Sequence, residues 1–344
     1  MIPAVRPILL KVVTCLLIAC GPARLTPVRE PTPLGTEMAS TIDPKVQIVA
    51  REEIDRAVAE WHPAAAVAIV LEPATGAILA VEGRDMGRSD PMLASHRAYV
   101  TGSTLKTFTI AAALDAGTIA LDSRIDCATR YYGAKKLFDA EEHGSLSITE
   151  ALVVSSNVGA SRVYDTLGLD RMVSTLQRFH IGDPPASLPS IKDGSDIEAA
   201  MFAAGELAKA TPMQIAAAYA AIFNGGIYVA PTFARARQAP ERVLKAETAK
   251  VMVNMLEAVV TSDLGTGKLA RVDGVRVAGK PGTADGPTYA SFVGTALDPK
   301  PKFVVLVGLV SPREGGTGPS AAAPTFARIV RRLLCVDRGS CSSL

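Results

Sequence analysis

Two serines and two lysines carry the chemistry this chain could do. Ser103 and Lys106 stand in Ser103-Thr104-Leu105-Lys106, Ser155 and Asn157 in Ser155-Ser156-Asn157, and Lys280, Gly282 and Thr283 in Lys280-Pro281-Gly282-Thr283. A serine hydroxyl is a poor nucleophile until a neighbouring base takes its proton, and a lysine can do so only when burial and nearby cations depress its pKa. The three groups together point to serine-centred acyl transfer that needs no histidine. Taken alone, Ser103 reads as a helix cap and Lys106 as a surface residue one turn on. Order and context decide between the readings.

The stretch GSTLKTFTIAAALDAG, the one place where Ser-x-x-Lys occurs, reads as a buried helix entered at Gly102 and closed at Gly117. Positions three apart share a helix face, so Lys106 can direct its amine at Ser103 while the free amides of the first turn face the same site. ITEALVVSSNVGASRV is a second apolar helical stretch, interrupted by polar residues where packing would prefer aliphatic ones. Buried polar groups need partners. Ser155 can relay a proton between the lysines and a leaving amine, and Asn157 can hold a substrate amide carbonyl and orient Lys106. The alternative is a polar turn with Asn157 satisfied by backbone. Lys280-Pro281-Gly282-Thr283 follows GVRVAG and precedes YASFVGTAL and FVVLVGLV, which read as strands. Such an edge offers a cation for a carboxylate and an N–H for an oxyanion, with glycine allowing close approach. A second Lys-x-Gly-Ser, Lys192-Asp193-Gly194-Ser195, falls in a loop too soon after Asn157 and is set aside.

With these motifs in view, the chain resembles the transpeptidase domain of class B penicillin-binding proteins. LEPATGAILAVEG, SITEALVVSSNVG, ATPMQIAAAYAAIFNGGIYVAP, LGTGKLARVDGVRVAGKPGTAD and YASFVGTALDPKPKFVVLVGLVSP extend the likeness from about residue 64 to 334. The resemblance implies an acylated nucleophile at Ser103, a general base at Lys106, a proton relay at Ser155 and a substrate-orienting amide at Asn157. It also implies that Lys280 assists Ser155 and attracts a terminal carboxylate. Thr283, beside Gly282, would contact that carboxylate and give an oxyanion N–H next to that of Ser103. The expected partners are peptidoglycan stem peptides and β-lactams, with no cofactor. Pro281 departs from the family's usual threonine or serine, which removes a hydroxyl and a backbone donor. Thr101 stands where the family commonly has proline. A class A β-lactamase would carry Glu-x-x-Leu-Asn after the second motif, and a class D enzyme an aliphatic residue at 157; neither pattern is present. The alternatives to a transpeptidase are a D,D-carboxypeptidase and a degenerate relative that binds stem peptides or β-lactams without turnover.

The expected fold is α+β, a central antiparallel sheet flanked by helices with a helical subdomain over about 103–261 and the site in the cleft between. KVQIVAREEIDRAVAEW has amphipathic helical spacing, and a last helix is expected from Pro324. The chain has 344 residues, 48% of them hydrophobic, with a formal net charge of +2. That supports one large core and gives no basic footprint for nucleic acid. His62, His96, His143 and His180 lack the close spacing of a metal site, so no metal is expected. At the N-terminus Arg6 and Lys11 precede the short apolar run VVTCLLIA. Such a run suits a signal peptide rather than a membrane span of about 20 residues. Leu17-Ile18-Ala19-Cys20 looks like a lipobox, so residues 1–20 are expected to be a lipoprotein leader with Cys20 lipidated. The partner there is a membrane, on the cell-envelope side. Residues 21–44 then form a proline-rich tether, 45–335 the catalytic domain and 336–344 a tail. Cys335 and Cys341 are close enough to pair, leaving Cys127 packed and unpaired.

Overall fold

Asp43 starts the first helix, α1 (Pro44–Trp61): its carboxylate accepts from the amides of Lys45 and Val46, and Pro44 presets the first turn. The computed structural model describes residues 40–184, 187–191, 196–235, 238–284, 288–298 and 300–338. The amphipathic spacing of α1 buries Val46, Val49, Ala50, Ile54 and Ala57. Next come β1 (Ala65–Leu71), β2 (Ile78–Asp85), β3 (Arg88–Ser89), the short α2 (Leu93–His96) and β4 (Tyr99–Val100). A 3₁₀ turn at Gly102–Thr104 leads into α3 (Lys106–Ala116), which ends on Gly117 in the left-handed region. Four short strands follow: β5 (Arg124–Asp126), the hairpin β6 (Arg130–Tyr132) and β7 (Lys135–Leu137), and β8 (Ser145–Ser147). A reciprocal cap between Ser147 and Glu150 opens α4 (Ile148–Val153), and α5 (Asn157–Leu167), α6 (Leu169–Arg178) and α7 (Asp196–Ala204) follow. After β9 (Lys209–Ala210), Thr211, Pro212 and Gln214 start α8 (Pro212–Phe223) in the same way. The chain closes with β10 (Ile227–Val229), β11 (Pro240–Arg242), α9 (Ala246–Thr261), β12 (Val277–Ala284), β13 (Tyr289–Ala296), β14 (Val304–Val310) and α10 (Ala323–Arg338).

The central sheet is antiparallel, in the order β12-β13-β14-β1-β2-β3, with Ala65 opposite Val310 and Lys280 opposite Val293. β1, β13 and β14 are buried along their whole length because helices cover both faces. The two-residue side-chain period divides them cleanly. Ala65, Val67, Ile69 and Leu71 join the core of α3, α8 and α9, while Ala66, Ala68 and Val70 join that of α1 and α10. The expected α+β sandwich is the observed one, and its helical middle adds small two-stranded pairs that motif spacing does not reveal.

Three boundaries differ from expectation. The chain is already bound at Ser40, which bridges to Ala234, and Thr41 donates to the carbonyls of Ile78 and Thr232, so a free tether does not extend to 44. The last helix begins one residue before Pro324, after a π-helical turn at Gly318–Ala322, and runs to Arg338, past the expected limit at 335. Cys127 is a buried free thiol and Cys335 is disulfide-bonded. The leader with Cys20, most of the tether, Cys341 and the decoy at 192–195 lie outside the described residues.

Candidate active site

Ser103 sits on the 3₁₀ turn that precedes α3, not in the helix itself, and Lys106 is the first α-helical residue. Lys106 Nζ lies 2.5 Å from Ser103 Oγ. The turn is held from behind: the amides of Thr101 and Gly102 donate to Ala208 and Gly205 at 2.9 and 3.0 Å, and Thr101 Oγ1 donates to Gly205 O at 3.1 Å. Proline at 101 would forfeit two of these bonds, which gives the departure at Thr101 a local reason. Gly102 has φ +54, and a Cβ there would come within 2.6 Å of Thr283 O. Only glycine lets the Ser103 turn approach β12 so closely.

The second motif is a turn between α4 and α5. Ser155 occupies the left-handed region at φ 61, which breaks the apolar helical stretch in two and turns its hydroxyl to the site. Lys280 Nζ donates to Ser155 Oγ at 2.8 Å and to Pro281 O at 3.1 Å. The structure thus brings Ser103 with Lys106 and Ser155 with Lys280, across 125 residues in the second case. Asn157 lies beside them, but its described bonds run elsewhere: its amide side chain donates to Phe138 O at 3.2 Å and its backbone N–H to Asp139. The expectation that it orients Lys106 is not met among the described hydrogen bonds; here it ties the turn to the chain after β7.

On β12 the alternation places Lys280 and Gly282 on the face of the Ser103 turn and Pro281 and Thr283 on the opposite face, where Thr283 meets the π-helical turn at Gly318–Ala322. A Cβ at Gly282 would lie 2.8 Å from Thr104 Cγ2. Thr283 Oγ1 accepts from the Gly318 amide at 3.1 Å. Because Pro281 O receives Lys280 Nζ, the polar backbone groups of residue 281 face the open edge of β12 rather than β13. Proline therefore costs no ladder bond here; what it removes is a donor facing the cleft.

Both lysines are buried, Lys106 at 1% and Lys280 at 0% exposure. Burial pulls the Lys106 ammonium down to about 8, against the opposing pull of Glu206 and Asp139. Burial and the charge of Lys106 push Lys280 well below the ordinary lysine range. The pair can therefore hold a neutral amine near neutral pH, which is what a lysine base requires. Sequence reasoning missed Asp139, which accepts from Ser156 Oγ, Asn157 N and Val158 N at 2.5, 2.6 and 3.0 Å, and it missed Glu206. Their only signal in the chain is polarity, in FDAEEH and GELAK. Among the described residues no cluster of His, Cys, Asp and Glu could hold a metal ion.

Comparison with known proteins agrees with this geometry. The probable peptidoglycan D,D-transpeptidase PenA of Neisseria meningitidis is 30% identical over 328 residues, which cover 86% of this chain and 56% of that protein. Stage V sporulation protein D of Bacillus subtilis is 30% identical over 347 residues, covering 86% and 53%. The chain thus spans about half the length of the curated relatives it matches. Among solved structures, the apo transpeptidase domain of Burkholderia pseudomallei penicillin-binding protein 3 superimposes with a TM-score of 0.81 at 27% identity, over 89% of this chain and 98% of that one. Penicillin-binding protein 3 of Mycobacterium tuberculosis, complexed with aztreonam, gives 0.78 at 26% identity, over 87% and 79%. Residues 66–331 match the model of the penicillin-binding protein transpeptidase domain. A match over that span, carried by the fold as well as the motifs, means that the chain belongs to the class B penicillin-binding protein transpeptidases.

Proposed function

We propose that the chain is a serine-type peptidoglycan D,D-transpeptidase that β-lactams acylate. The observation that carries the reading is the pairing of two fully buried lysines with two serines, Lys106 with Ser103 and Lys280 with Ser155. Neutral Lys106 takes the Ser103 proton as Oγ attacks the penultimate D-Ala carbonyl of a stem peptide. The amides of Ser103 and Thr283, brought together by the Gly102 contact, receive the oxyanion. Collapse breaks the peptide bond, Ser155 passes a proton to the departing D-Ala amine, and an amine of a second strand then takes the acyl group from Ser103. Lys280 keeps the Ser155 hydroxyl oriented and favours an anionic terminus. Asn157 borders the same turn and holds the substrate amide. Intact-mass spectrometry after exposure to a penicillin should give one adduct, absent in Ser103→Ala; an adduct that persists in the variant removes the nucleophile assignment.

The leader read at Leu17-Ile18-Ala19-Cys20 supports a mature protein anchored through lipidated Cys20 on the envelope side of a membrane. Mass analysis of the mature N-terminus should find an acylated Cys20, and Cys20→Ala should be soluble or unprocessed. Unlipidated mature wild type in the soluble fraction removes this part of the reading.

A further inference from the structure

Between β7 and the second motif lies a carboxylate that neither motif accounts for. Asp139 Oδ1 accepts from the backbone amides of Asn157 and Val158 at 2.6 and 3.0 Å, the first free donors of the eleven-residue α5. Its Oδ2 accepts from Ser156 Oγ at 2.5 Å, and that hydroxyl in turn accepts from Gly159 N at 2.7 Å. One side chain, seventeen residues away in sequence, therefore satisfies the helix start directly and through Ser156. The polar turn needs this because Ser155 is left-handed and cannot continue α4. A second strap lies alongside, where the Asn157 amide donates to Phe138 O. The hairpin of β6 and β7 is thus tied at its exit to the turn that presents Ser155 to Lys280.

We propose that Asp139 is a positioning residue for proton transfer at this site: it fixes the turn carrying Ser155 and Asn157 and sets a negative charge where the proton shared by the serines and lysines is stabilised. The proposal rests on the acyl-transfer reading above. Two carboxylates act on Lys106, Glu206 from the segment behind the nucleophile turn and Asp139 from the chain after β7, while Lys106 in turn acts on Lys280 of β12. Glu206 and Asp139 hold the Lys106 proton on, while burial works the other way. A carboxylate that only capped a helix would be replaceable by any group that accepts from the same amides.

The test uses Asp139→Asn, which keeps an acceptor for the α5 amides and removes the charge. The titration of Lys106 is followed by the ¹³Cε shift in lysine-labelled, unliganded protein, and the pH dependence of Ser103 labelling by a fluorescent penicillin is measured alongside. In Asp139→Asn the Lys106 midpoint should fall by about half a pH unit, less than for a carboxylate in direct contact. The rising limb of labelling should move to lower pH by the same amount, with its plateau about tenfold lower. An unmoved midpoint in folded Asp139→Asn overturns the proposal whatever the labelling rate does, since a loosened turn alone would slow labelling without touching Lys106. Should Asp139→Asn not fold, Asp139→Glu decides: it keeps the charge but displaces the cap. Its midpoint should stay within about 0.2 of a unit of wild type while labelling slows; labelling at the wild-type rate overturns the proposal. Wild type that never labels removes the acyl-transfer reading, and the Lys106 titration still judges Asp139 by itself.

Discussion

The two faces of the sheet bury charge in opposite ways. Beneath α1 and α10, Glu53 is 1% exposed and is met by Arg328 at 2.8 Å and Arg332 at 2.9 Å, with Arg56 at 3.7 Å. Nearby Glu82 is likewise buried: burial pushes its carboxyl up, but hydrogen bonds from Arg84, Gln47 and Arg51 outweigh this and hold it below the usual range. On the face of α3 and α5, Lys106 and Lys280 are buried as deeply, yet their hydrogen bonds go to Ser103, Ser155 and the Pro281 carbonyl. Neutral oxygens cannot compensate an ammonium as a carboxylate does. Paired charge at such depth holds a structure, whereas an ammonium whose described hydrogen bonds reach only neutral oxygens is poised to give up its proton.

The comparison breaks most sharply at Lys106. Lys106→Met should lower acylation of Ser103 by about 10²- to 10⁴-fold, the worth of a general base, while melting unchanged or higher because a costly buried amine is gone. A melting temperature several degrees lower would mean that Lys106 is structural, like the arginines on the other face. The mirror experiment is Glu53→Ala, which leaves Arg328 and Arg332 facing a buried vacancy. It should cost about 3 kcal/mol in denaturant unfolding with the acylation rate of the folded fraction unchanged.

A third test asks for the titration itself. With Lys106 down at about 8, the neutral base grows as pH rises toward that value, so acylation should climb nearly tenfold per unit below it and level off above. A flat profile between pH 6 and 9 in stopped-flow labelling would deny Lys106 the role of base. The smallest effect is expected at Pro281. Its backbone faces the open edge of β12, so Pro281→Thr should restore one donor to the cleft without disturbing the ladder. Labelling should quicken severalfold, within the worth of one hydrogen bond to a charged group, and stay on Ser103. Slower labelling would show that the ring itself supports Lys280.

What could be read from the chain alone follows the range of the interactions. Ser103 and Lys106 are three residues apart, and the strands around Lys280 are runs of apolar residues, so local period exposes both. The meeting of Lys280 with Ser155 needed the family resemblance, because no periodicity spans 125 residues. Asp139 and Glu206 escaped notice since each acts across a fold contact and looks, in sequence, like any surface carboxylate. Asn157 was legible as a polar residue out of place, yet its bond to Phe138 O depends on a hairpin that spacing does not announce. The end of the tether was misplaced for a similar reason: Thr41 is bound by carbonyls of Ile78 and Thr232, far along the chain.

The register of β1 against β14 has a consequence for how the molecule comes into being. Ala65 lies opposite Val310, and β12 reaches β1 only through β13 and β14, so the sheet cannot close until almost the whole domain has been made. Contacts over such separations carry a large loop-closure cost and slow the folding step that forms them. The helix α3 after Ser103, built from local contacts, can form early; Lys280 arrives with the final strands. An emerging chain would therefore carry Ser103 without its complete electrostatic setting, and on the proposed function acylating power would switch on late, as the carboxy-terminal strands lock into place.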